Sequence, residues 1–281
     1  MCECPGTKFG KIHIRGVFTL EYDGQIISAY KFPSPNPAVE LEMVTYYAGG
    51  LRVKGLLARP VDGSGTEGFL YLRGGIKNVG KVRPARIAQF ASEGFTVFAP
   101  FYRGNQGGEG DEDFGGDDRI DAFAGFKLLQ SLPGVGKVHI FGFSRGGLMA
   151  LLTAIQFPET ASVVTWGGVT DMFLTYVERK DLRRMMKRVI GGSPKKVPSR
   201  YKFRTPLYEI ENLKAPVLLI HGRNDRNVSA EHSYRLEKRL KELEKPVESW
   251  YFDEYTHYFP PVMNRKVVTD LTNWMKLLPQ Q

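Results

Sequence analysis

Only two cysteines occur in 281 residues, Cys2 and Cys4, and they stand too close together to form a useful staple. No second cysteine pair and no spaced histidine pair accompanies them, which excludes a zinc knuckle as well. They read as a reduced terminus, and a cytoplasmic setting follows. No apolar run reaches the roughly 18 residues a membrane-spanning helix needs, so no membrane partner is expected. The opening "MCECPGTKFGK" also lacks the apolar segment of a secretory signal. Ser/Gly-rich linkers, internal repeats and low-complexity tracts are absent too, which argues against two independent domains.

What remains is the make-up of an ordinary globular protein, 42% hydrophobic and 25% charged, long enough for one sizeable core. The net charge of +9 is unevenly placed. Between Glu178 and Arg204 eleven bases face two acids, an excess equal to that of the whole chain. Such a cluster could attract nucleic acid or another anionic partner. Aromatic residues suited to base stacking are sparse there, however. A solvated face is the better reading, and no nucleic acid is expected.

The first 60 residues alternate apolar and polar positions in the manner of hairpins. "KIHIRGVFTLEYDGQIISAYKF" turns at Asp23-Gly24, and "VELEMVTYYAGGLRVKGLLARP" turns at Gly49-Gly50. Thereafter buried runs alternate with helices. The runs end at "FLYLRGG", "FTVFAPFYRG", "KVHIFGFS", "SVVTWGG", "APVLLIHG" and "VESWYFDE", and amphipathic stretches at 84–93, 118–131, 145–157 and 230–243 separate most of them. This predicts an α/β domain with a mainly parallel sheet covered on both faces. An insertion at about 172–212 carries the basic cluster and has the length of a small helical cap over the carboxyl edge, where such sheets bind ligands.

"HIFGFSRGG" contains Gly142-Phe143-Ser144-Arg145-Gly146, a G-x-S-x-G run between a buried strand and an apolar helix. In that context the serine sits on a strained turn that lifts its hydroxyl above the sheet, and the helix's first amides face the reacting oxygen. A serine nucleophile needs a base, and the base needs an orienting acid, in the order Ser, Asp or Glu, His. His257, on a loop between the last strand and the C-terminal helix, is the base expected to reach Ser144. His221 reads as a satisfied strand-end histidine, and His232 as part of a solvated helix face. Asp225, in "LLIHGRNDRNV", is the favoured acid, and Asp171, in "GGVTD", is its rival.

Two glycine loops invite a phosphate reading. In "GGIKNVGKV" the spacing Gly75 to Gly80-Lys81 nearly matches a nucleotide loop, but Val82 stands where the magnesium-holding hydroxyl belongs and Pro84 interrupts the helix start. "GNQGGEGDED" ends in Asp111, Glu112 and Asp113, which would repel a phosphate, and reads as a flexible loop beside the active-site mouth.

From about residue 40 to about 275 the chain resembles the catalytic domain of the prolyl oligopeptidase family, within the α/β-hydrolase superfamily. "FYRGNQGGEG" is similar to that family's N-Y-R-G-S-x-G-x-G segment, "FGFSRGG" to its nucleophile turn, "APVLLIHGRNDRNV" to its acid segment, and "EYTHYF" to its histidine loop. The resemblance implies an α/β-hydrolase fold with an eight-stranded type of sheet, at 40–281, behind an N-terminal β extension at 1–39. It implies a triad of Ser144, Asp225 and His257 and no metal or organic cofactor. Fewer than 50 residues precede the catalytic region, which leaves no room for the family's β-propeller. A carboxylesterase acting on small esters or acyl amides is therefore the expectation. An aminopeptidase or acyl peptidase is the alternative, and an inactive binding protein using the basic cap is a rival of another class. The partner expected is a small ester or short peptide, with room for a homo-oligomer.

Many members carry Tyr or His before the glycine pair, where this chain has Arg73. Backbone amides at Gly75 and Arg145 are thus expected to form the oxyanion hole. Arg73 itself could hold a substrate carboxylate or supply positive potential. Tyr102, Trp166 and Tyr176 are further candidates for the substrate site.

Overall fold

The computed structural model describes residues 22–279. The two glycines at 49 and 50 take φ of +58° and +77°, the pair of left-handed conformations that a two-residue hairpin turn requires. They join β2 (Val39–Ala48) to β3 (Leu51–Pro60) in a register running from Ala48 opposite Leu51 to Val39 opposite Pro60. β1 (Ile26–Phe32) lies antiparallel to β2 at the sheet edge. The other arm of the expected Asp23-Gly24 hairpin, 11–21, and both cysteines fall outside the described residues. Asp23 accepts the Gly49 amide at 2.7 Å, so the two predicted turns are tied to each other.

From there strands and helices alternate as β4 (Glu67–Leu72), α1 (Pro84–Ala91), β5 (Phe95–Pro100), α2 (Arg119–Ser131), β6 (Val138–Phe143), α3 (Gly146–Gln156) and β7 (Ser162–Trp166). The insertion follows as α4 (Met172–Glu178), α5 (Arg183–Ile190) and α6 (Pro198–Lys202), with short 3-10 turns between and after them. The chain returns through β8 (Val217–Gly222), α7 (Glu231–Glu242), β9 (Val247–Phe252) and α8 (Pro261–Leu277). The strands form one sheet in the order β1-β2-β3-β5-β4-β6-β7-β8-β9. From β5 across to β9 all neighbours are parallel, while the β1, β2 and β3 pairings are antiparallel. This is the α/β-hydrolase architecture, with nine strands among the described residues because β1 is added beyond β2.

Alternation along the buried strands divides the core in two. On β4, Phe69 and Tyr71 point to a layer with α1 and α8, and Leu70 and Leu72 to a layer with α2, α3 and the insertion. Phe69, Tyr71, Phe90 and Phe141 stack in the first layer, with the Phe69 and Phe90 rings 4.5 Å apart. In α3 every residue from Gly146 to Ala154 is buried, because it lies between the sheet and the insertion; a helix apolar on all sides belongs in such a place. The carboxyl ends of β4, β6, β7 and β8 and the loop after β9 then converge on one edge.

Candidate active site

Ser144 connects β6 to α3 at φ +56°, a left-handed conformation in a residue that is not glycine. Holding it there costs about 1–3 kcal/mol. The flanking glycines make the turn feasible. A Cβ on Gly142 would collide with the Gly146 carbonyl, and one on Gly146 with that of Leu72. The turn is pinned to β7 and the segment beyond it. Ser144 N donates to Trp166 O at 3.1 Å, and Ser144 O accepts from Gly147 and Val169, each at 2.9 Å.

His257 is buried, with its ring 4.7 Å from that of Phe143, the residue before the serine. Its Nδ1 lies 2.6 Å from Asp225 Oδ2. A carboxylate only accepts, so Nδ1 carries the proton and Nε2 keeps its lone pair. Asp225 Oδ1 accepts the amides of Asn227 at 2.8 Å and Val228 at 3.0 Å, which fixes the carboxylate plane. Burial alone would raise its pKa; hydrogen bonds from His221 and His257 outweigh it and hold the carboxyl well below the usual range. Gly167 explains how the pair reaches the serine. It follows Trp166, and a Cβ on it would stand 3.1 Å from both Asp225 Oδ2 and His257 Nδ1. Asp225, His257 and the Ser144 amide therefore meet around the end of β7.

The other histidines make further contacts. His221 lies between Ser233 Oγ at 2.7 Å and Val228 O at 2.9 Å, as a satisfied strand-end residue should, and its Nε2 also stands 3.4 Å from Asp225 Oδ2. His232, expected on a solvated face, is instead buried in the face of α7 that also carries Leu236 and Leu240. Its Nδ1 accepts the amides of Thr170 at 3.2 Å and Asp171 at 3.3 Å, a role for a neutral ring. Burial, helped by His221 and Arg235, pushes its pKa down to about 3. Asp171, the rival acid, caps α4. Its Oδ1 accepts from the Phe173 and Leu174 amides, and its Oδ2 meets Arg235 at 3.2 Å.

On the opposite side, the end of β4 lies against Ser144. A Cβ on Gly74 would come within 2.6 Å of Ser144 Cβ and 3.2 Å of its Oγ. Among the described residues, neither the Gly75 nor the Arg145 amide donates to a backbone carbonyl, so both are free for a ligand oxygen.

Beneath these amides is a buried ionic cluster that sequence reasoning missed. Glu112 Oε1 accepts from Arg73 at 2.5 Å and from Arg145 at 3.0 Å, while its other oxygen takes the Lys77 amide. One carboxylate thus joins both segments that carry the free amides. Arg145 also reaches Asp118 at 3.2 Å. Asp118 accepts from Phe114 and Gly115, and burial raises its pKa to about 7. Arg73 further donates to the carbonyls of Phe101, Gly74 and Val79, so its donors are taken up by the protein and it adds only positive potential. In sequence, Glu112 is one of three adjacent acids, and nothing local distinguishes it from exposed Asp111.

Tyr102 and Trp166, expected along the substrate site, are instead enclosed. Tyr102 is fully buried, with the Arg73 and Arg145 guanidinia 5.0 and 4.7 Å from its ring centre. Trp166 packs on Phe141 and Phe259 in the α1 and α8 layer, and only its carbonyl meets the serine. Tyr176 is half-buried in the insertion, against Tyr201 and Arg183. An exposed aromatic stands beside His257 instead, Tyr258, its ring 5.0 Å away. The expected flexible loop is pinned at Glu109, which accepts from the Arg52 amide and guanidinium. Of the eleven clustered bases, Arg179, Arg183, Arg200 and Arg204 make internal contacts, and all but Arg179, Arg183 and Arg204 are exposed. Among the described residues no helix is long and apolar enough to cross a membrane.

A strained serine turn, an imidazole on a buried carboxylate and two free amides on this sheet define the catalytic-domain architecture of a large hydrolase family. The chain belongs to the prolyl oligopeptidase family, whose profile matches residues 81–278. It is 63% identical over 254 residues to the uncharacterized peptidase YtmA of Bacillus subtilis (strain 168), covering 89% of this chain and 99% of that protein. Among solved structures it is similar to the acylaminoacyl peptidase of Pyrococcus horikoshii, with a TM-score of 0.70 and 21% identity over 90% of this chain. The chain spans 42% of the length of that protein. The acetyl xylan esterase of Paenibacillus sp. R4 shares the fold with a TM-score of 0.69 and 15% identity, over 90% of this chain and 88% of the esterase. At these identities the two structures speak to the fold alone.

Proposed function

We propose that the protein is a serine hydrolase that opens carboxylic esters or small acyl amides through an acyl-enzyme on Ser144. His257 Nε2 takes the hydroxyl proton as Ser144 Oγ bonds to the carbonyl carbon, and the carbonyl electron pair moves onto oxygen. The amides of Gly75 and Arg145 receive that oxyanion, which develops over the fixed positive charge of Arg73 and Arg145. The intermediate collapses, the bond to the leaving group breaks, and His257 returns the proton to it. Water then repeats the sequence on the acyl-enzyme and releases the acid. Asp225 keeps the imidazole in the required tautomer and stabilises it while protonated.

The observation that carries this reading is the 2.6 Å Asp225–His257 contact beside a serine held at φ +56°. A fluorophosphonate probe followed by peptide mapping tests it before any substrate is known. Label is expected on the peptide containing Ser144 and absent from Ser144→Ala; label elsewhere, or none, would overturn it. A carboxylesterase acting on small esters is the preferred form. The name of the 63% identical relative, a peptidase, favours a second form that cleaves acylated or short peptides. Short-chain p-nitrophenyl esters run against aminoacyl and acylaminoacyl arylamides separate the two.

A further inference from the structure

The hydrolase reading gives no task to Gly80 and Lys81, the end of the near-nucleotide loop. Gly80, at φ +68°, lies on the backbone of the glycine pair, and a Cβ there would come within 2.6 Å of Gly74 O and 3.3 Å of Gly75 N. Residues 75–80 therefore close into a loop that returns Lys81 to the end of β4, the strand that abuts Ser144. Lys81 there lines a cleft of about 200 Å³ between this loop and the one following β5, together with Arg73, Lys77, Arg103, Asn105 and Gln106.

The charge of the cleft is unbalanced. Four cations line it against two carboxylates, Asp111 and Glu112. Arg73 is answered by Glu112, and Arg103 by Asp121 behind the wall. Lys77 meets only the exposed Asp111, at 4.0 Å. Lys81 makes no ion pair among the described residues. The backbone is strained at the same place: Lys77 and Gln106 take φ of +52° and +53°. Such conformations persist only where the surroundings impose them, and they gather at ligand sites.

We propose that this cleft is an anion subsite, which binds a carboxylate or phosphate group carried by the substrate whose carbonyl Ser144 attacks. Lys81 is its principal charge, with Lys77 beside it, and the side-chain amide of Gln106 supplies a neutral donor. The word substrate rests on the hydrolase reading; the anion site itself does not. With Val82 at the magnesium position, a nucleotide is not its ligand.

Matched esters test the subsite. Mono-p-nitrophenyl adipate against its methyl ester places the anion on the acyl side, and 4-acetoxybenzoate against its methyl ester places it on the leaving group. 4-Acetoxyphenyl phosphate against 4-acetoxyanisole is the phosphate arm. At low ionic strength kcat/KM should favour the anionic member of at least one pair by about tenfold. Roughly 0.5 M NaCl should shrink that preference. Lys81→Met should collapse the ratio and Lys81→Arg should keep most of it, while Lys266→Met, a like charge removed from distant α8, should keep it whole. An equal rate for both members of every pair, or a preference that survives Lys81→Met, overturns the subsite.

A second measurement needs no turnover: the Tm shift with succinate or inorganic phosphate, in wild type and Lys81→Met. A shift lost with Lys81 supports the subsite, and the anion that produces it assigns the carboxylate or phosphate source. No shift, or one indifferent to Lys81, overturns it. If no ester is hydrolysed and Ser144 takes no fluorophosphonate, the hydrolase reading falls, and the Tm shift still decides the cleft.

Discussion

On one side of Ser144 stand Asp225 and His257, 2.6 Å apart, with His221 behind the carboxylate at 3.4 Å. On the other, Glu112 and Asp118 hold Arg73 and Arg145 in a buried cluster roofed by Tyr102. In the proposed reaction His257, on the first side, takes a proton and returns it. The guanidinia of the second stay protonated, so their charge persists throughout a reaction cycle. In that proposed reaction proton transfer needs a labile charge and the oxyanion a fixed one, and the two would fall on separate flanks of the serine.

Substitutions can break each flank in turn. Ser144→Ala removes what both sides serve, and turnover of a p-nitrophenyl ester should fall by about 10⁵ or more with the far-UV spectrum unchanged. Asp225→Asn should cost about 10³–10⁴ in kcat, because the imidazole loses the partner that sets its tautomer. Asp171→Asn, by contrast, should stay within about twofold, since asparagine caps a helix as well as aspartate does. The reverse order would reassign the acid. Glu112→Gln attacks the fixed-charge flank and should lower kcat by about 10–100-fold with little change in KM. A parallel rise in KM would mean that Glu112 touches substrate.

The smallest effect concerns neither flank but the support behind them. The pKa of His232 is pushed down to about 3 from an ordinary 6.5. Between those values the unfolded chain binds the extra proton, so this contribution is complete above pH 6.5 and is lost as pH falls. The slope is about 1.4 kcal/mol per pH unit. Denaturant unfolding from pH 7 to 4.5 should show a flatter acid limb in His232→Gln than in wild type.

Local pattern explains what was legible in the sequence. The strand runs, the Gly49-Gly50 turn, the serine turn and the helix boundaries rest on periodicity and glycine sterics, which act over a few residues. The placement of Asp225 and His257 was readable because each follows a strand whose carboxyl end must face the same edge. His232 carried a signal that went unused, since Leu236 and Leu240 lie four and eight residues on and define one buried face. Glu112 carried none. Its partners lie 33 and 39 residues away along the chain, and only the folded sheet brings them together. Arg73 was singled out as unusual, but its engagement with Glu112 depends on the same long-range closure.

Arg204, at the end of the insertion, holds Asp113 at 2.9 Å, and Asp113 accepts amides at the entrance to α2. Arg119 returns the tie by donating to Phe203 O. Through Asp118 the same network reaches Arg145 at the head of α3. Removing one member of a buried pair costs about 3–5 kcal/mol, so these segments have no inexpensive way to separate. In hydrogen exchange, residues 113–119, 145–150 and 200–205 should behave as one cooperative unit and open together. The exposed bases of α5, Arg184, Lys187 and Arg188, take no part in that network.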